Sequence, residues 1–441
     1  MNSNPALAFN RSVPVRHEVD VFVAGGGPAG VAAALAAGRQ GKDVFVAEGQ
    51  ACFGGMGTSA LVPAFMRFTD GINFLADGIG REIYERMKQI AQIPDDFPGS
   101  YVTINAEALK RVYDDLMVDA GVKFSFLTQV IGIEVENGFV SQAICAAKSG
   151  LFAVRARVFI DATGDGDLAV WAGAPFEKGD DQGRMMPGTL CSLWADVDWE
   201  KVEGRDDRLL AKAIEDGVFT YPDRHLPGMW KVGKTVGGGN IGHTFGVDGT
   251  DERSLTEALL WGRKSLQEYE RYYKQYLTGF ERMSLVTTGA LPGLRESRRI
   301  LGDYVLCLQD FIDRAVFEDE IGRYAYPVDI HASSPDTASY QKFEEEFRTL
   351  RYEDGESYGI PYRILTPRNV KNVLVAGRCV STDRFLQGSI RVMPGCYITG
   401  QAAGVAAGLV LERDTSVHEV PVPELQKRLI TKGAYIPNSS K

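Results

Sequence analysis

The chain of 441 residues carries 48 Lys and Arg against 58 Asp and Glu, a formal net charge of −10, with no block of basic residues to offset it locally. That excludes a nucleic acid or an anionic membrane surface as the main partner. Hydrophobic residues at 44% and charged residues at 24% exclude a disordered chain, and the length allows about two to three domains.

Gly is the outlier, 49 residues against 19 Pro, so the excess belongs to motifs and not to linkers. Six cysteines (Cys52, Cys145, Cys191, Cys307, Cys379, Cys396) lack C-x-x-C spacing. They suggest neither a metal site nor a disulfide framework, and fit a reducing cytoplasm. The first residues hold no apolar segment of signal-peptide length, and the longest apolar stretch elsewhere, Cys396 to Leu411, falls short of the roughly 20 residues of a membrane span. A cytoplasmic protein without membrane contact is expected.

In chain order, residues 1–17 suggest a loose leader. Val19–Ala24 (VDVFVA) has the composition of a buried parallel strand and runs into GGGPAG at Gly25–Gly30. Gly25-x-Gly27-x-x-Gly30, with Pro28 and Ala29 inside it, precedes a helix of small residues and a second strand ending in Glu48, 18 residues after Gly30. In this dinucleotide fingerprint the first glycine makes the turn, the second lets a pyrophosphate approach the backbone and the third allows close helix packing. Glu48 lies where a carboxylate accepts hydrogen bonds from ribose hydroxyls. AEALKRVYDDLMVDAG predicts a helix, and KFSFLTQVIGIEVENGFVSQAICAA predicts strands. Gly237-x-Gly239-x-x-Gly242 repeats the glycine spacing but is followed by a polar stretch. It is expected to be a loop, which argues against a second, dedicated NAD(P)H fold. Thr256–Phe280 predicts a helix whose tyrosines pack, and Phe343–Phe347 (FEEEF) a solvated helix face. NVLVAGRCVSTDRF predicts a strand delivering Gly377 and Arg378, and GSIRVMPGCYITGQAAGVAAGLVL a loop and then a helix.

Glu48 followed by GQACFGGMGTSALV, ATGDGDLA at Ala162–Ala169 and the Asn372–Phe385 stretch together resemble the glutathione-reductase-type FAD flavoproteins. More narrowly, GALPGLRESRRILGDY, VDGTDERSLTEALLWGR and YPVDIH resemble a bacterial family of FAD-dependent oxidoreductases, over residues from about 18 to 412. The resemblance implies an α/β fold: a Rossmann-like FAD-binding domain of residues 18–60, 100–175 and 365–412, an inserted α+β substrate domain of 61–99 and 176–364, and a C-terminal extension, 413–441. It implies FAD, with Gly25, Gly27, Pro28, Ala29 and Gly30 at the pyrophosphate and Glu48 at the ribose. Gly55, Met56, Gly57 and Thr58 would wrap the ribityl chain and ring, and Asp165, Gly377 and Arg378 would lie near the phosphates. The helix opening at about Gly395 would point at the pyrimidine edge of the flavin.

Such an enzyme moves a hydride between flavin N5 and a small-molecule substrate, exchanging electrons with a diffusible donor or acceptor. The alternatives are a flavin monooxygenase and a flavin-containing electron-relay subunit. In the RESRR cluster, Arg295 and Arg298 are preferred for holding a carboxylate or a flavin oxygen, because three-residue spacing puts them on one helical face. Of five histidines, His17, His225 and His418 fall in the leader, a polar loop and the tail, and the two at its ends are expected in solvent. His243 and His331 are candidates for proton transfer. Cys52 and Cys396 fall near the expected flavin, as small buried side chains, a thioether to the flavin or a redox thiol. Nothing in the sequence sets substrate, direction or oligomeric state.

Overall fold

The computed structural model describes residues 7, 9–91, 102–204, 206–224, 228–335 and 350–438. FEEEF and His225 lie outside them. β1 (Val15–Ala24), α1 (Pro28–Gly38) and β2 (Val44–Ala47) come first. They are followed by α2 (Ile79–Ala91), α3 (Ala106–Asp119), β3 (Lys123–Ser125), β4 (Gln129–Glu136), β5 (Phe139–Ala147) and β6 (Gly150–Asp161). Next come β7 (Ser192–Ala195), β8 (Gly228–Lys231), β9 (Gly237–Asn240), α4 (Glu252–Tyr276) and β10 (Ser284–Thr288). The chain closes on β11 (Val373–Val375), α5 (Met393–Arg413) and α6 (Val422–Thr431).

Among the described residues the main sheet runs β3-β2-β1-β6-β5-β4, with β11 also paired to β6. β3, β2, β1, β6 and β11 are parallel, whereas β5 and β4 fold back antiparallel. β6 serves both parts: Gly150–Arg155 pairs with β5, and Phe159–Asp161 pairs with β11. Ala24 is level with Ala47 and with Asp161, and Val375 is level with Asp161. Four parallel strands therefore end along one edge, where α/β sheets bind ligands.

α1 and α5 cover this sheet, and α5 is buried from Met393 to Leu411. Their seam is built of Ala and Gly because main chain meets main chain: a Cβ on Gly400 would stand 2.2 Å from Ala29 O, and one on Gly404 would stand 2.2 Å from Ala33 O. Exchanging a mid-helix Gly for Ala ordinarily stabilises by roughly 0.5–1 kcal/mol. Here Gly404→Ala should destabilise by about 1–3 kcal/mol through overpacking, seen as a lower urea midpoint; a raised midpoint would mean that the seam yields.

Several sequence expectations change. β1 starts at Val15, inside the stretch expected as leader, and His17 is not free in solvent but stacked on Phe45 at 4.2 Å. The tail beyond residue 412 is docked, with Leu425 and Leu429 of α6 fully buried in the main core, whereas His418 is exposed as expected, its Nδ1 2.6 Å from Asp303 Oδ2. Gly388–Ile390, expected as loop, closes a short helix, Arg384–Ile390.

Gly237–Asn240 is likewise no loop but β9, in the antiparallel sheet β8-β9-β7-β10. Glycine is needed there for side-chain room, since a Cβ on Gly238 would meet Pro63 at 2.5 Å and one on Gly239 would meet Ser192 Oγ at 2.9 Å. α4 lies beside this sheet, and Tyr269, Tyr272 and Tyr273 join Trp194 and Leu266 in a second apolar cluster, running from Leu190 to Met283. Apolar residues of 61–99 (Phe65, Phe68, Leu75) and of 300–364 (Ile300, Phe311, Tyr324) pack into the first cluster instead.

Candidate functional site

A cavity of about 690 Å³ opens where the parallel strands end, and is lined by the residues that follow β1, β2, β6 and β11. Gly25 turns the chain at φ +90°, with Ala162 O 2.7 Å from where a Cβ would be. Gly30 packs on the turn itself, since its Cβ would stand 1.9 Å from Gly25 O. Gly27 is different: nothing lies within 4 Å of its missing Cβ, and it faces the cavity. It caps α1 without a side-chain hydrogen bond, and Pro28 follows, so the first N–H groups of the helix are left for a ligand.

Glu48 closes one end. Its two oxygens accept from Gly26 N and Gln50 N at 2.6 Å each, which fixes the carboxylate at the cavity wall. Burial pushes its pKa up, and the two backbone donors pull it down. Asp161, fully buried, organises the loop after β6 by accepting from Thr163 Oγ1 at 2.7 Å and Ala169 N at 2.8 Å; burial pushes its pKa up to about 6. Arg378 ties three segments together, with Nη2 on Asp165 Oδ1 (2.6 Å), Nε on Gly164 O (2.9 Å) and Nη1 on Leu294 O (3.0 Å). Gly55, Met56, Asp165, Gly377 and Arg378 all line the cavity.

Gly57, Thr58 and Gly395 do not. Thr58 is buried, its hydroxyl donating to Phe53 O at 2.6 Å, and Gly57 faces Leu109 and Met393. α5 opens at Met393, before Gly395, so Val392, Met393 and Cys396 reach the cavity while Gly395 packs on Ile390 O. These three positions support the wall from behind.

Arg295, His331, Asp329, Arg391, Asn240 and Thr189 line the cavity beyond Met56 and Arg378. Arg295 is buried, donating to Pro187 O and Thr189 Oγ1 at 2.9 Å each and to Asn240 Oδ1 at 3.4 Å. Burial, and then nearby Arg391, push its pKa down to about 10. The helical face expected to pair it with Arg298 does not exist: Arg298–Ile300 is a strand paired with Phe176–Lys178. Arg298 turns away to Asp167 Oδ1 at 2.6 Å and is not among the residues lining the cavity. Glu296, Arg299 and Arg384 form a buried ion-pair network that holds Met186 N.

His331 Nε2 lies 3.3 Å from Asp329 Oδ1, and Asp329 also meets Arg391 Nη2 at 2.9 Å. His331 and Arg391 hold the Asp329 carboxyl well below the usual range despite its burial. His243 does not line the cavity but stands behind His331, its Nε2 3.0 Å from His331 Nδ1. Asp223 Oδ2 lies 2.8 Å from His243 Nδ1, and Trp261 of α4 donates to His243 O at 3.2 Å. Cys396 and Cys191 line the cavity as thiols whose pKa burial pushes up to about 12, while Cys52 lies outside it against Ser59.

Asp329 was visible as the residue two before His331 in YPVDIH. Asp223 and Thr189 come from segments with no motif of their own, whereas Arg391 lies in the GSIRVMPG stretch. Phosphate donors at α1, an open glycine at the turn and a carboxylate at the end of β2 together make a donor set that fits the diphosphate and ribose of FAD.

Known proteins resemble the chain in sequence and in structure. The chain is 30% identical over 241 residues to thiamine thiazole synthase of Methanococcus aeolicus, covering 52% of this chain and 81% of the relative. The same enzyme of Methanococcus vannielii is 30% identical over 243 residues, with 52% and 81% covered. Among solved structures, a geranylgeranyl bacteriochlorophyll reductase-like protein of Thermoplasma acidophilum superposes with a TM-score of 0.48 at 14% identity, over 94% of this chain and 83% of that one. For p-nitrophenol 4-monooxygenase of Pseudomonas putida DLL-E4 the values are 0.45, 12%, 94% and 85%. The sequence profile of the FAD dependent oxidoreductases matches residues 20–429. With nearly the whole chain matched and a Rossmann-like site suited to the cofactor, the protein belongs to the family of FAD-dependent oxidoreductases and is an enzyme that uses FAD.

Proposed function

We propose that the enzyme transfers a hydride between flavin N5 and a small organic substrate bearing a carboxylate, with Arg295 binding the carboxylate and His331 exchanging the accompanying proton. In this reading Gly25, Gly27 and the first turn of α1 hold the diphosphate, Glu48 the ribose, and Gly55, Met56 and the start of α5 the flavin end. The domain is of the glutathione-reductase type, and the sheet around β9 with α4 is the inserted, substrate-facing part. FAD supplies the hydride acceptor or donor when bound, and a diffusible partner takes or returns the electrons.

The observation that carries the substrate class is Arg295. A buried guanidinium costs several kcal/mol unless it is paired, and this one donates to neutral acceptors only. Among the described residues no carboxylate lies within ion-pair distance of it, whereas Arg298, Arg299, Arg378 and Arg391 each have one. An anionic substrate supplies the missing partner. Arg295→Lys keeps the charge and loses the planar fork. Anaerobic flavin bleaching against a set of small carboxylates should show apparent affinity falling about 10- to 100-fold, as for the loss of one charge-assisted hydrogen bond. Equal affinity in the variant, for carboxylates and for neutral analogues alike, would remove Arg295 from substrate binding.

A further inference from the structure

We propose that His243 and His331 form a relay that holds a single proton beyond those of two neutral rings and passes it between the rear of the site and the cavity wall. His243 then acts as a positioning residue, and His331 is the member that meets substrate.

All four ring nitrogens have a polar atom close by. His243 Nδ1 faces Asp223 at 2.8 Å, His243 Nε2 faces His331 Nδ1 at 3.0 Å, and His331 Nε2 faces Asp329 at 3.3 Å. Each nitrogen beside a carboxylate carries its hydrogen, because a lone pair there would meet a negative oxygen. The contact between the rings needs one hydrogen and one lone pair. The sum is three N–H groups on two rings, whereas two neutral imidazoles have two. The extra proton sits on either ring with every contact kept, so moving the hydrogen of the central bond moves the charge from one histidine to the other.

The surrounding charges agree. Asp223 and Asp329 balance Arg295 and Arg391, so the extra proton leaves the site at +1 before an anion binds. Tyr326 OH donates to Asp329 Oδ2 at 3.3 Å, and Tyr269 and Cys191, both buried, are pushed further into their neutral forms. A second extra proton is opposed by the charge of the first one ring away; on His243 itself burial foremost lowers the pKa, Asp223 raises it, and Arg295 lowers it further. When His331 gives its Nε2 proton to substrate, a bare nitrogen is left facing Asp329, which makes it a strong base for the next proton. Coupled groups of this kind titrate in two separated steps belonging to the pair.

The shared proton depends on ring geometry alone; only its use in catalysis rests on the function proposed above. NMR of FAD-loaded protein carrying labelled histidine reads it directly. We expect two of the five rings to titrate together, one step above the ordinary histidine value of about 6.5 and one well below it. Asp223→Asn should move the upper step down by about one pH unit or more. His243→Gln should leave His331 titrating alone in one step. Two independent steps near the ordinary value, unmoved by Asp223→Asn, would overturn the relay. The pH profile of flavin reduction by a small carboxylate is measured on the same samples. A profile that follows the upper step supports the relay in catalysis; one that stays fixed while the NMR step moves leaves the relay standing and refutes His331 as the proton-exchanging group.

Discussion

Gly27→Val should give a folded protein that is colourless. The backbone at Gly27 has φ −67° and ψ −176°, a conformation open to any residue, and the new side chain meets no protein atom within 4 Å at its Cβ. Loss of a tolerated helix cap costs about 1 kcal/mol, too little to unfold a chain of this size. The added carbons occupy the space where the diphosphate must approach the first turn of α1. Bound FAD should fall from about one per chain to almost none, while melting of the flavin-free protein stays close to wild type. Gly30→Val would not make this distinction, because its Cβ collides with Gly25 O inside the turn and disturbs the fold as well. Visible absorbance of the purified variant decides the matter, and a stoichiometric yellow protein would refute the assignment of the turn.

His331→Asn should lower the rate of flavin reduction by about 10²–10⁴-fold, the usual contribution of a positioned acid or base. Asn replaces the ring with an amide that can donate to Asp329 but does not titrate, so the proton has no carrier, while Arg391 still faces Asp329. FAD content and the affinity for carboxylates should remain, since Glu48 and Arg295, the residues assigned to the ribose and the carboxylate, are unchanged. Single-turnover reduction under anaerobic conditions separates that rate from binding. Wild-type rates at saturating substrate would sink the role of His331.

What was legible in the sequence was local. The turn Gly25–Gly30 and Glu48 are separated by one helix and one strand, and each answers to a backbone requirement that spacing exposes. The pair Arg295 and Arg298 was misjudged because a period of three was read as helical, where Ile300 and its neighbours pair in a strand with residues 176–178. The second glycine repeat misled for a related reason: glycine admits close approach of a side chain as readily as of a phosphate, and Ser192, Trp194 and Pro63 fill the space beside β9. The partners of the two histidines were beyond local reading. Asp223 precedes β8, His243 follows β9 and His331 lies 88 residues further on, so only the packing of distant segments brings them together. No periodicity records that event.

The Gly and Ala seam between α1 and α5 also has a metric consequence. The same residue, Ala29, sits in the first turn of α1 and receives Gly400 of α5 through its carbonyl. The start of α1 meets one part of the cavity and the start of α5 another, and bare backbone contact fixes their separation with no side chain to act as an adjustable spacer. The cavity thus works as a gauge: a ligand has to span the set interval to engage both helix starts, and in the arrangement proposed above a flavin mononucleotide, lacking the adenosine half, would leave Glu48 without its partner.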